Sequence, residues 1–315
     1  MSKNNNSCSF RTSIGGQALI EGILMRGPKK QAIVCRTKDG LVEKVEELKL
    51  DKQKHPILGW PFVRGCAIFL DSMVKGMQAL TYSASLIPEE EQEEPDKLDQ
   101  WIADHFPAEK AQKLIIGTAV VLGIALALLL FIFLPTLIVG FIKPLTGSYL
   151  VRNLSEGFTK VVILLLYMAL CTRMSDIQRL FAYHGAEHKT IFCYEHGKPL
   201  TVENVRPESR FHPRCGTSFL ILVVIVSVFL YSVLPWGSIG LRVVCKLLLL
   251  PLVMGISYEL LKWCGRSDNI ATRIIRQPGI WVQHLTVFEP DDSMIEVAIA
   301  AVTPVLPETP EEGKW

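Results

Sequence analysis

Residues Leu114 to Leu134 read LIIGTAVVLGIALALLLFIFL, 21 positions without a charge. A hydrocarbon layer roughly 30 Å thick takes about 20 helical residues to cross, since each advances about 1.5 Å. No polar face interrupts the run, so it does not read as one side of a soluble core. The chain is therefore expected to be a mainly α, multi-pass helical membrane protein. Thr217 to Pro235 is a second uncharged run, and Leu241 to Trp263 is a third, interrupted by Lys246, Pro251 and Glu259. Phe158 to Thr172 is about 15 residues and crosses only if Lys160 snorkels and the helix continues into water. The expectation is four transmembrane helices within residues 113–265.

Charge sets the topology. Seven lysines and arginines lie between Arg173 and Arg214, and Lys262, Arg266, Arg273 and Arg276 follow the last run. The connector Trp236 to Gly240 has none, so both termini and the connector 173–216 are expected on the cytoplasmic side. Arg242 and Lys246 argue the other way, more weakly. A net charge of +2 gives no reason to expect nucleic acid as a partner. The eight cysteines are scattered with no CxxC, which suits free thiols or metal ligands on a reducing side. The N-terminus has no apolar core beside its charges and is not expected to be a signal peptide.

Outside the spans, residues 31–48 read as two strands about an Asp39-Gly40 turn, a small β region within a cytoplasmic segment 1–55. Residues 56–87 are expected to form an interfacial or re-entrant amphipathic helix, with Arg64, Asp71 and Lys75 along one stripe. Residues 88–112 hold an acidic run and read as a solvated linker. A cytoplasmic segment 266–303 contains a short helix Met294 to Val302 capped by Asp291, Asp292 or Ser293, and 304–315 reads as a disordered tail.

The chemistry concentrates in YHGAEHKTIFCYEHG, Tyr183 to Gly197. If the second span continues as a helix past Arg173, His184 and His188 share a face and can hold one zinc-type ion, with Glu187 beside it as general base. Arg210-Phe-His212-Pro-Arg-Cys215-Gly lies just before the third span and offers two more donors. Glu259, inside the last span, is costly there unless paired or metal-bound. His184, His188, His212, Cys215 and Glu259 are thus candidate ligands at one membrane depth. Other readings are Cys215 as a packing residue, Glu259 paired with Arg173, Lys262 or Arg266, and His212 as a loop contact. Cys193, Glu195 and His196 are weaker candidates, with His196 expected to face solvent.

The blocks GGQALIEGILMRGP, HGAEHKTIFCYE, LTVENVRPESRFHPRCGTSF, GISYELLK and EPDDSMIEVAIAA resemble the YqhQ-like family of bacterial multi-pass membrane proteins, whose function is not assigned. The resemblance runs over almost the whole chain. It implies a bacterial plasma-membrane protein, and its members are sometimes labelled metal-dependent enzymes. The metal site it implies is His184 and His188 with His212, Cys215 and Glu259. The order His184, Glu187, His188, Glu259 also imitates reversed-zincin peptidases, whose soluble architecture does not match.

Two functions follow from these residues. One is a scaffold or accessory factor for membrane-protein assembly or insertion, with zinc stapling helix ends and the bilayer and other membrane proteins as partners. The alternative is a metal-dependent hydrolase acting on a peptide or lipid-linked substrate. A hydrolase needs Glu187 and an open ligand position, whereas a staple needs only ligands. Transport is a third reading, weakened by the lack of two matching broken-helix halves.

Overall fold

The computed structural model describes residues 10–48, 60, 62–88, 97–142, 148–234, 236–309 and 312–313. The chain divides into two compact units, one of residues 1–86, 167–226 and 251–315, the other of residues 87–166 and 227–250.

The first unit is built on a four-stranded antiparallel meander in the order β1 (Gly15–Leu19), β2 (Gly22–Arg26), β3 (Lys30–Thr37) and β4 (Gly40–Glu47). The expected hairpin is β3–β4, closed at Thr37 opposite Gly40, whose φ of 122° suits a residue without Cβ. The first two strands were not expected. Their turn places Glu21 at φ 49° and binds its carboxylate to Arg179 at 2.6 Å through both guanidinium contacts and to Tyr183 at 3.1 Å.

Side chains alternate across this sheet, and both faces are covered. Ile23, Met25, Ala32 and Val34 pack on Tyr183 and Ala186 of α6 (Ser175–Glu195) and on Ile295, Ala298 and Val302 of α11 (Asp292–Val302). Leu24, Ile33 and Cys35 pack on the opposite face with Ala79 of α1 (Val63–Ser85). Burial contributes about 1.5–3 kcal/mol for each large apolar side chain of this kind. Asp291 caps α11 by accepting from the Met294 amide at 3.0 Å. The segment expected as a disordered tail continues from this core: Val305 is buried, and the Ser13 amide donates to the Gly313 carbonyl at 2.7 Å.

Among the described residues, three helical stretches are long and apolar enough to cross a membrane: Leu114–Phe141, Tyr149–Cys171 and Ile239–Arg266. The first comprises α3 (Ala108–Leu128), one π-helical turn Leu129–Phe133 and α4 (Leu134–Ile142). Pro135 accounts for the π turn, because proline lacks an amide hydrogen and its ring crowds the preceding turn. The other two are α5 (Tyr149–Cys171) and α9 (Ile239–Arg266). The remaining expected span, third in chain order, is α8 (Gly216–Ser232), which at 17 residues is shorter. The acidic segment is not wholly a linker, since α2 (Lys97–His105) forms there, while residues 89–96 lie outside the described residues. The second span does not continue into the histidine motif: α5 ends at Cys171 and α6 starts anew at Ser175.

Within the second unit, charge is buried among the helices. Glu156 of α5 pairs with Arg242 at 2.8 Å and with Lys246, both of α9, and accepts from Thr136 at 2.9 Å. Lys160 does not snorkel. It is buried, donates to Ser227 at 2.9 Å and sits over the Tyr231 ring.

Candidate metal centre

α6 carries the motif, and its face toward the site is set by spacing. His184 and His188 stand four residues apart, with ring centroids 4.4 Å apart. Cys215 arrives from the turn that precedes α8 and brings Sγ to 3.1 Å from His184 Nε2. One donor atom from each of His184, His188 and Cys215 lies within 4.8 Å of the others.

Both imidazoles are oriented from behind. His184 Nδ1 contacts the Thr286 carbonyl at 3.1 Å, and His188 Nδ1 contacts the Arg210 carbonyl at 2.5 Å. A carbonyl only accepts, so each Nδ1 carries a proton and each Nε2 is the nitrogen that would face an ion, which on His184 would displace the proton shared with Cys215. Thr286 closes α10 (Ile270–Thr286), a helix absent from the sequence reading that opens with a reciprocal Asn269–Thr272 cap. Burial pulls the His184 imidazole down, but the charge and hydrogen bond of Cys215, then Glu187, lift it to about 9. Burial also opposes ionisation of Cys215, yet His184 and His188 hold its thiol well below the usual value. Two imidazole nitrogens and a thiolate form a borderline-soft set that suits zinc.

Glu187 sits against the same cluster, 5% exposed. Burial pushes its carboxyl up, the two histidines oppose this, and the Gly16 amide donates to it. Its Oε2 is buried with no hydrogen-bond partner among the described residues. Gly16 lies on β1, an edge strand, where an amide not used by the sheet can be spent on a side chain. A Cβ at Gly16 would stand 3.0 Å from Glu187 Cδ and 2.6 Å from the Leu24 carbonyl oxygen, so only glycine allows this approach.

The other two expected ligands are elsewhere. Glu259 takes a two-point ion pair with Arg64, Nε to Oε1 at 2.6 Å. It is paired, as a carboxylate within an apolar helix requires, but by the amphipathic helix rather than by Arg173, Lys262 or Arg266. His212 is buried with its ring 5.5 Å from His188, outside the donor cluster. Its backbone is clamped by Gln283, which accepts from the His212 amide and donates to its carbonyl, both at 2.8 Å. Burial holds the His212 ring down at about 4, with Glu195 opposing. Glu195 is a buried hub, accepting from the Thr12 amide at 2.7 Å and pairing with Arg214. His196 is not solvent-facing but meets Glu208 at 2.9 Å, and Cys193 is buried in the core. Sequence reading missed Gly16, Gln283 and Thr286. Gly16 lies in a quoted block, but nothing local to it signals its partner.

Residues 60–308 match the family described as a protein of unknown function (DUF1385), and the chain belongs to that family. A protein of Bacillus subtilis (strain 168) described as uncharacterized protein YqhQ is 32% identical over 302 residues, covering 93% of this chain and 92% of that one. No solved structure matches.

Proposed function

We propose that this protein is a metal-dependent hydrolase of the bacterial plasma membrane, with its site at the cytoplasmic face. The observation that carries the reading is Glu187. The Gly16 amide donates to its carboxylate, its Oε2 is buried with no hydrogen-bond partner among the described residues, and three donors stand beside it rather than four or five. His184, His188 and Cys215 would hold a zinc-type ion, and a set of three protein donors would leave room beside it for substrate or water. An ion held there would supply Lewis acidity toward an ester or amide carbonyl and acidify water.

The residues then have separate tasks. Glu187 Oε2 takes a proton from water as the water oxygen bonds to the carbonyl carbon. It returns that proton to the departing oxygen or nitrogen as that bond breaks. A carboxyl raised by burial moves nearer the pH at which it must both accept and donate. Gly16 aims it, and the Thr286 and Arg210 carbonyls fix both imidazoles.

One observation favours a purely structural metal instead. His188 is 2% and Cys215 5% exposed, which suits a staple holding α6 to the start of α8, as a scaffold for other membrane proteins would need. The two readings separate on one substitution. Glu187→Gln should keep the metal and cost about 10²–10⁴-fold in hydrolysis if Glu187 is the base. It should be tolerated if the metal only staples. His184→Ala should lose metal under both. Elemental mass spectrometry on detergent-purified protein, with turnover of a quenched casein-peptide and acyl-ester panel, reads both. Wild type without bound metal, prepared without chelator, ends both readings.

A further inference from the structure

A second site lies on the far side of His212. A cleft of about 400 Å³ in the first unit is walled by Arg11, Arg214 and Arg276, with Glu195, Asp268 and Gly265. It is a separate space from the donor cluster: Arg214 Nη2 stands 3.3 Å from His212 Nε2, and the His212 ring then intervenes before His188. Three guanidinium groups face two carboxylates, and both carboxylates are already engaged. Glu195 is taken by Thr12 and Arg214, while Asp268 accepts from Arg273 at 2.9 and 3.0 Å and from Arg276 at 2.7 Å. Arg11 gives one Nη1 contact, at 3.0 Å, to the Gly265 carbonyl, and a guanidinium has five N–H donors in a planar fork. The buried Thr12–Glu195 contact fixes the backbone beside Arg11 and so holds it on the cleft wall.

The position of the cleft identifies the anion. Gly265 and Asp268 bracket the end of α9, the helix Ile239–Arg266 that is long and apolar enough to cross a membrane. On that reading of α9 the cleft stands at headgroup level, where basic pockets beside helix ends bind anionic lipid. Its wall also carries Ile280, an apolar surface for the glycerol and the first methylenes. We propose that this cleft binds the phosphate group of an anionic phospholipid, held bidentately by Arg11 and Arg276. The proposal rests on α9 as a span and not on the hydrolase reading.

The test uses the full chain in nanodiscs of equal parts phosphatidylcholine and phosphatidylglycerol, re-extracted in detergent, with retained phospholipid read by mass spectrometry. Wild type should retain phosphatidylglycerol over phosphatidylcholine, and each of Arg11→Gln and Arg276→Gln should cut that preference about fivefold. Arg11→Gln leaves the Thr12–Glu195 contact and the Asp268 pairs in place, so its thermal midpoint should match wild type. Equal retention in wild type and Arg11→Gln would mean that Arg11 only caps α9, and would overturn the proposal. Inorganic phosphate is titrated by calorimetry into the lipid-free protein. Binding that Arg11→Gln abolishes, without any lipid preference, would assign the cleft to free phosphate and overturn the headgroup.

Discussion

At the scale of single residues, Gly16 and His212 are the positions whose roles lie in what surrounds them. Gly16→Ala puts a methyl where Glu187 and the Leu24 carbonyl already stand. Overpacking of this kind costs about 1–3 kcal/mol. The expected result is a lowered thermal midpoint together with impaired turnover at retained metal, because the carboxylate is displaced while the three donors are not. Unchanged turnover would show that Gly16 does not aim Glu187. His212 makes a prediction in pH. Its ordinary value is 6.5 and burial depresses it to about 4 in the fold. Between those values the unfolded chain binds a proton that the folded chain does not, so stability falls as pH drops from 6.5 toward 4. The loss is on the order of 3 kcal/mol over the full window. Thermal midpoints in excess chelator should therefore decline across that window for wild type and less for His212→Gln. His184, Glu187, His188 and Cys215 were legible because helical spacing and ligand chemistry are local properties of a sequence. Gly16, Thr286 and Gln283 were not, because each acts through a contact made only after distant segments have packed. Glu259 was misassigned for the same reason. The cost of a buried carboxylate predicts a partner, but not that the partner is Arg64.

At the scale of elements, uncharged length was a sound guide to helices, and charge inside them was a poor guide to orientation. Arg242 and Lys246 weighed against the expected topology as though they stood at a membrane surface. Both are buried on Glu156 and report packing within the second unit. β1 and β2 escaped the sequence reading because GGQALIEGILMRG is apolar and glycine-rich without alternation. Strand β2 is covered on both faces, so no solvent-facing side imposes polar residues. The Glu156 cluster supports a third prediction. Glu156→Gln leaves Arg242 and Lys246 buried around a neutral amide, and removing one partner of a buried pair costs about 3–5 kcal/mol. The midpoint in detergent should drop sharply and recover in part when Lys246→Met is added, since the second change removes the stranded charge. If the double variant is no better than the single, the pairing does not stabilise the unit.

For the whole molecule, the apolar helices raise the question of how many times the chain would cross a membrane. The N-terminal sheet and α11, near the other end of the chain, share one hydrophobic core, so residues 10–48 and 292–305 lie on the same side of any membrane. A shared side requires an even number of crossings, and among the described residues three helices meet a full-length criterion. A crossing by helix α8 would make the number even. Its 17 residues carry no charge. It extends about 25 Å, roughly 5 Å short of the hydrocarbon layer, a mismatch that local thinning absorbs at a fraction of a kcal/mol per Å. If α8 crosses, the connector Trp236 to Gly240 is expected on the side away from both termini. Gly237, whose added Cβ meets nothing within 4 Å, is a suitable reporter. In intact cells, a membrane-impermeant maleimide should label Gly237→Cys, with wild type as the blank for native thiols. Lys38→Cys and Thr309→Cys should label only after permeabilisation. If Gly237→Cys is protected with the other two, α8 and α9 do not form a crossing pair. The charged groups of the second unit would then need water rather than lipid around them. If Lys38→Cys and Thr309→Cys differ from each other, the core joining sheet and α11 cannot exist in the membrane-bound protein. The donor cluster could not survive that either, because Glu187 is aimed from β1 while Thr286 holds His184 from α10.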